Sequence, residues 1–168
     1  MALVSLARPS STQFDEFVEA QIADYAWWLV NHGGFDSASA AQAHARSEIE
    51  GEMRAAAAAG DLFWVASAPN GRTVGWLWVR RTEPGLPVCA AFLSQIQVVS
   101  ELRRQGFGRE MLAALEVELD RLGFREVRLN VWDSNVAAGH LYAAAGYEVA
   151  ELLPQKRQLR KRLGPCAG

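Results

Sequence analysis

The stretch Ile96-Gln97-Val98-Val99 runs without a break into Ser100-Glu101-Leu102-Arg103-Arg104-Gln105-Gly106-Phe107-Gly108-Arg109. An apolar strand must therefore pass through a basic, glycine-punctuated turn and emerge as a helix. Gly106 and Gly108 lack a Cβ, which lets the backbone bend sharply and approach a bulky anion. Beyond them Met111, Leu112, Leu115, Leu119 and Leu122 recur at spacings of three and four, a helical stripe that ends at Gly123. The first turn of such a helix leaves N–H groups unpaired at the positive end of its macrodipole. Arg103, Arg104 and Arg109 add whole charges, and the combination suits a pyrophosphate. A G-x-G alone would equally describe a surface turn with solvated arginines, so the rest of the chain has to decide.

Further on, Val127, Leu129 and Val131 alternate as in a strand, Ser134 or Asn135 can cap a following helix, and Gly146 can end it. Taken together, the two segments resemble the GNAT superfamily, the acetyl-coenzyme-A-dependent N-acetyltransferases. The pyrophosphate motif of that family, R/Q-x-x-G-x-G/A, is matched by Arg103, Gly106 and Gly108. Its second motif, an Asn followed seven residues later by a Tyr in an L-Y-x-x-x-G-F/Y ending, is matched by Asn135, Leu141, Tyr142, Gly146 and Tyr147. The resemblance is sharpest over residues 88–163 and rests before that on element order alone.

The resemblance implies a single α/β (α+β) domain over residues 1–168, with a mixed, twisted, splayed sheet flanked by helices in the order β-α-α-β-β-β-α-β-α-β-β. It also implies acetyl-coenzyme A as donor and a primary amine of a small molecule or peptide as acceptor, reacting by direct attack in a ternary complex. The cofactor's pantetheine arm would pair with the main chain of the segment Ile96, Gln97 and Val98, and an N–H near Val98 would face the thioester carbonyl. Its pyrophosphate would sit on the turn formed by Arg103, Arg104, Gln105, Gly106, Phe107, Gly108 and Arg109. Tyr142 would be the general acid for the departing thiolate, and Asn135 would contact the cofactor or cap its helix. A homodimer is compatible with all of this.

The general base is the weak point, because Ser94, Gln95 and Asn130 stand where many relatives carry an acid. Glu83, Glu48, Glu50 or Glu52 could serve, or ordered water could relay the proton. His44 and His140 sit in Ala-rich helical stretches and read as surface histidines. A non-catalytic coenzyme-A-binding or interaction module with the same fold is therefore the alternative. A dinucleotide fold is disfavoured, since no acidic ribose-binding residue follows the glycines in the required strand setting.

Along the chain, strands are expected over residues 2–8, 62–68, 73–81, 88–99 and 126–132, with two closing strands at the end. Helices are expected over residues 12–31 and 37–59. The first should bury Phe14, Val18, Ile22, Tyr25 and Leu29 on one face, with Phe17 and Trp28 beside them; the second should place Ala45, Ile49, Met53 and Ala56 on one side. Asn70-Gly71 marks a hairpin. Trp64, Trp76 and Trp78 read as core, and Trp132 as the better pocket candidate.

Residues 1–70 carry nine acids against three bases, whereas residues 71–168 carry ten against fourteen. That split favours an anionic cofactor on the C-terminal part and a cationic acceptor near the N-terminal part. No basic stripe with interleaved aromatics supports nucleic-acid binding. No apolar run approaches the length of a membrane span, and nothing resembles a secretory start. Cys89, in an expected strand, and Cys166, in a loose tail, are the only cysteines, so a disulfide framework is not expected and a cytoplasmic setting is the default expectation; so far apart, with three scattered histidines, they show no metal-ligand spacing.

Overall fold

The computed structural model describes residues 4–166, which form two compact units. Pro9–Asp61 makes one; the described residues up to Arg8 together with those from Leu62 onward make the other.

The first unit is a helical pair, α1 (Ser11–His32) and α2 (Ala38–Ala58). Ser10 opens α1 with a capping box, its hydroxyl accepting from the Gln13 N–H while the Gln13 side chain accepts from the Ser10 N–H. Ser37 caps α2 in the simpler way, accepting from the Ala40 N–H. The buried face of α1 carries Phe17, Val18, Gln21, Ile22, Ala26 and Leu29. It is therefore rotated from the expected face: Phe14 and Tyr25 are half-buried and Trp28 is exposed. Counting only apolar residues missed Gln21, whose position on the stripe fixes the rotation. Arg46 reaches from α2 to both oxygens of Glu19 at 2.7 Å, and Arg54 to Asp15 at 2.9 Å.

The second unit is a seven-stranded sheet with two helices. Its strands are β1 (Ser5–Ala7), β2 (Leu62–Ser67), β3 (Thr73–Arg80), β4 (Ala90–Val98), β5 (Glu126–Trp132), β6 (Glu148–Leu153) and β7 (Lys156–Arg162), in the spatial order β1-β2-β3-β4-β5-β7-β6. With α3 (Phe107–Arg121) and α4 (Val136–Ala144), the sequence order of elements is the one the resemblance implied. Every pairing is antiparallel except that of β4 with β5.

That parallel pairing is short: Ala90, Ala91 and Phe92 face Glu126, Val127 and Arg128, and then the strands part. A bulge begins the separation. Val79 pairs with Leu93 but Trp78 pairs with Gln95, so Ser94 is an extra residue in β4 and bends it. The core lies between the sheet and its helices, with Met111, Leu112, Leu115 and Leu119 of α3 fully buried among Leu77, Val79, Val127 and Leu129. Trp64, Trp76 and Trp78 are buried, as expected of core residues.

Two boundaries and one cysteine pairing differ from expectation. The strand expected from residue 2 covers only Ser5–Ala7, and its first two expected residues lie outside those described. The strand expected from residue 88 starts at Ala90, because the Ala90 N–H closes a turn onto the Pro87 carbonyl and leaves Val88 exposed. Finally, Cys89 and Cys166 form a disulfide, where no disulfide framework is expected from the sequence. The pairing depends on β5 as an intermediary. Arg125, just before it, donates its N–H to the Cys89 carbonyl and accepts from the Leu163 and Gly164 N–H groups, which brings the tail alongside Cys89. A contact of that kind leaves no mark on cysteine spacing.

Candidate active site

The widening gap between β4 and β5 follows from register. The Val99 N–H donates to the Val74 carbonyl at 2.9 Å, and Gly75 lies opposite Val98. Antiparallel alternation then turns the N–H and C=O of Ile96 and Val98 away from β3, toward the side where β5 has already diverged. The Val98 carbonyl is taken up by the Arg103 guanidinium, whose Nε donates at 3.0 Å. This bond ties the basic turn to the end of the strand.

A short 3-10 turn at Ser100–Leu102 follows, anchored by the buried Leu102. Gln105 donates its side-chain amide to the Glu101 carbonyl at 3.0 Å. The Glu101 carboxyl is held below its usual range, first by its own backbone N–H and then by the Ser100 hydroxyl. Arg104 stands at φ 64°, a left-handed conformation that costs a non-glycine residue energy, and Gly106 caps α3 at φ 89°. No side chain caps α3, so the N–H groups of its first turn are turned outward unclaimed.

A cleft of about 500 Å³ opens at this point, lined by Val98, Leu102, Arg103, Arg104, Gly106, Gly108 and Arg109 on one side and by Ala137, Ala138, His140 and Leu141 of α4 on the other. Close packing of the two helices forms its base: a Cβ on Gly108 would stand 3.3 Å from Leu141 Cδ2. Arg104 and Arg109 have no ion-pair partner among the described residues, so two full positive charges face the cleft uncompensated.

Of the candidate residues read from the sequence, Val98, Arg103, Arg104, Gly106, Gly108 and Arg109 come together in this cleft, while Ile96, Gln97, Gln105, Phe107, Asn135 and Tyr142 do not line it. Asn135 caps α4, its side chain accepting from the Ala138 N–H at 3.1 Å. Tyr142 is buried on α4 with its ring edge-on to Tyr147, centroids 5.7 Å apart. Burial pushes the Tyr142 phenol up to about 12. Tyr147 is raised as well, first by burial and then by the nearby Glu116 carboxylate. His140, two residues before the motif tyrosine, is exposed as expected and also lines the cleft, a placement the sequence did not signal.

The candidate bases are engaged or distant. Glu83 pairs with Arg80 at 3.2 Å, beyond the end of β3 that faces Phe92, far along the strand from Gly75 and Val98. Glu50 bridges Arg46 and Arg54 in the helical pair, and Glu48 lies 3.4 Å from His44. No cluster of metal-ligating side chains occurs among the described residues, and no helix among them is long and apolar enough to cross a membrane.

The family model for the acetyltransferase (GNAT) family matches residues 15–147. The uncharacterised N-acetyltransferase YycN of Bacillus subtilis is 31% identical over 95 residues, 56% of this chain and 60% of that protein. The alignment thus spans about three fifths of the relative's own length. A crystal structure of YycN superposes with a TM-score of 0.75 at 22% identity, over 90% of this chain and 96% of that one. PaiA N-acetyltransferase from Thermoplasma acidophilum, solved in complex with coenzyme A, gives 0.70 at 18% identity over 95% and 98%. Spermidine N-acetyltransferase from Vibrio cholerae, solved with coenzyme A and spermine, gives 0.68 at 15% over 97% of each chain. The splayed β4–β5 gap, the glycine turn and the matched family model together make this chain a member of the GNAT acetyltransferase family.

Proposed function

We propose that the protein is an N-acyltransferase that moves an acetyl group from acetyl-coenzyme A to a primary amine of a small molecule or peptide. The observation that carries this reading is the pair of uncompensated guanidiniums, Arg104 and Arg109, flanking the uncapped start of α3 over a cleft at the end of a strand whose Ile96 main chain and Val98 N–H turn away from β3. Cation, dipole and bare N–H donors fit a diphosphate at one end, and an unpaired strand edge fits an extended amide-bearing arm at the other. Coenzyme A complexes of the two similar folds above support the same donor.

When bound, the thioester supplies an activated acyl carbonyl. The Val98 N–H is the donor proposed for the carbonyl oxygen as negative charge gathers there. Arg103 keeps that strand end in place through the Val98 carbonyl. Tyr142 is the proposed acid. Its hydroxyl makes no hydrogen bond among the described residues, and burial keeps it protonated at neutral pH, so it yields its proton only to an anion forming within reach. The amine is proposed to arrive already neutral or to lose its proton through water, since the nearby positions Ser94, Gln95 and Asn130 carry no acid. The setting proposed is the cytoplasm, with the Cys89–Cys166 disulfide as the observation against it.

Calorimetry with coenzyme A and acetyl-coenzyme A, followed by thiol release over amines, polyamines and peptide N-termini, tests the proposal. Arg104→Ala and Arg109→Ala should each weaken binding by about tenfold, and Tyr142→Phe should lower kcat with little effect on that affinity. Undiminished binding in both arginine variants would sink the site assignment. The engaged state of Glu83 and Glu50 favours a second reading, a coenzyme-A-binding module without turnover. Binding without thiol release from any amine would select it.

A further inference from the structure

A second cavity, about 470 Å³, opens in the sheet unit where β5 begins and β7 ends, the opposite end of β5 from the cleft. Arg125, Arg128, Arg160 and Arg162 line it against a single carboxylate, Glu126. Register sets most of these charges side by side: Arg128 faces Arg160 and Glu126 faces Arg162 across the β5–β7 ladder, all on one face of the sheet. Like charges directly opposite each other weaken a ladder unless something anionic is shared between them.

The protein's own acids compensate this cluster incompletely. Glu126 is buried and committed to Arg128, which also donates to Gln158 at 2.8 Å. Arg160 is drawn to Glu148 and Arg125 to Asp120, but both carboxylates are more than half exposed, and ion pairs at such positions are weak. Arg162 has no partner among the described residues. The remaining wall is the tail Pro165–Cys166, held by the bonds from Leu163 and Gly164 to the Arg125 carbonyl and by the disulfide to Cys89. None of these groups has a part in the proposed acyl transfer.

We propose that this cavity binds a small oxyanion carrying two or more adjacent negative charges, separately from the cleft at the α3 turn. Its volume suits a ligand of that size, and Arg160 and Arg162, two residues apart on one strand, offer forked donors that match phosphate or carboxylate oxygens. The disulfide keeps the tail in place as the outer wall.

Calorimetric titration at low ionic strength with inorganic pyrophosphate, and separately with citrate, tests this and distinguishes a phosphate from a carboxylate preference; because pyrophosphate also fits the α3 turn, each titration is run on the intact protein and on the chain carrying both Arg104→Ala and Arg109→Ala. Arg162→Ala and Arg160→Ala should each weaken binding by about tenfold, Arg162→Lys should retain part of it, and melting temperatures report whether each variant is folded. A double variant at the other site, Arg104→Ala with Arg109→Ala, should leave this binding event unchanged. No heat with either probe, or loss in the double variant but not in Arg162→Ala, overturns the proposal. An affinity unmoved by Cys166→Ser overturns the role given to the tail.

Discussion

Arg104 carries the main conflict between stability and use at the level of single residues. Its φ of 64° would suit glycine, yet the position holds an arginine whose charge faces the cleft. Left-handed backbone costs a residue with a Cβ roughly 1 kcal/mol. Arg104→Gly is therefore expected to raise the melting temperature slightly while weakening coenzyme A binding; thermal denaturation and calorimetry on one preparation read both. Tyr142 offers a second test. Its phenol is raised to about 12 by burial and that of Tyr147 is raised too, so an unfolded chain releases both protons at a lower pH than the folded one. Their contribution to stability is whole below about pH 10, the unfolded value, and is lost as pH climbs toward 12. Replacing both tyrosines by phenylalanine should move the alkaline unfolding midpoint upward, as followed by circular dichroism. Gly106 could be read from sequence because few residues tolerate its left-handed backbone, and Gly108 because the turn before α3 needs a residue without a Cβ, here against Leu141. His140 could not, since its place in the cleft depends on how closely α4 approaches Gly108.

Between elements, the decisive event is the extra residue in β4. The doublets Phe92-Leu93 and Ser94-Gln95 interrupt the alternation that resumes at Ile96-Gln97-Val98, but only the register with β3 makes Ser94 the extra residue. Its hydroxyl is buried without a hydrogen-bond partner. The central strand segments, the hairpin at Asn70-Gly71 and the stripe of α3 were all legible, because each follows from periodicity or turn chemistry within one segment. The splay was available from the family resemblance alone. Gly75 holds β3 against the far end of the bulged strand: an added Cβ would meet the Gln97 carbonyl oxygen and stand 2.8 Å from the Met111 methyl. The carbonyl belongs to the backbone and cannot swing aside. Gly75→Ala is expected to cost about 1–3 kcal/mol in chemical denaturation, and to weaken coenzyme A binding because β4 must shift where Ile96 and Val98 present their main chain.

At the scale of the molecule, two long-range features shape behaviour. The disulfide closes a stretch of 77 residues in sequence, from before β4 to the tail. Cys166→Ser should lower stability to denaturant by about 2–4 kcal/mol, whereas the α3 turn, held locally by Arg103 and Gln105, should keep its affinity for coenzyme A. A reducing compartment would hold the two cysteines as thiols, so alkylation at the moment of lysis, read by mass, reports the setting in which the chain works. The other feature is the route of the chain around Pro9–Asp61. Ala7 pairs with Val65, and the Arg8 guanidinium reaches the Phe63 carbonyl, so the polypeptide departs from and returns to a single edge of the sheet. The intervening helical hairpin, with its acidic surplus, is in effect a cassette. Evolution or an engineer could trade it for another of similar span, while the basic turn before α3 stays in a part of the chain that the exchange never touches.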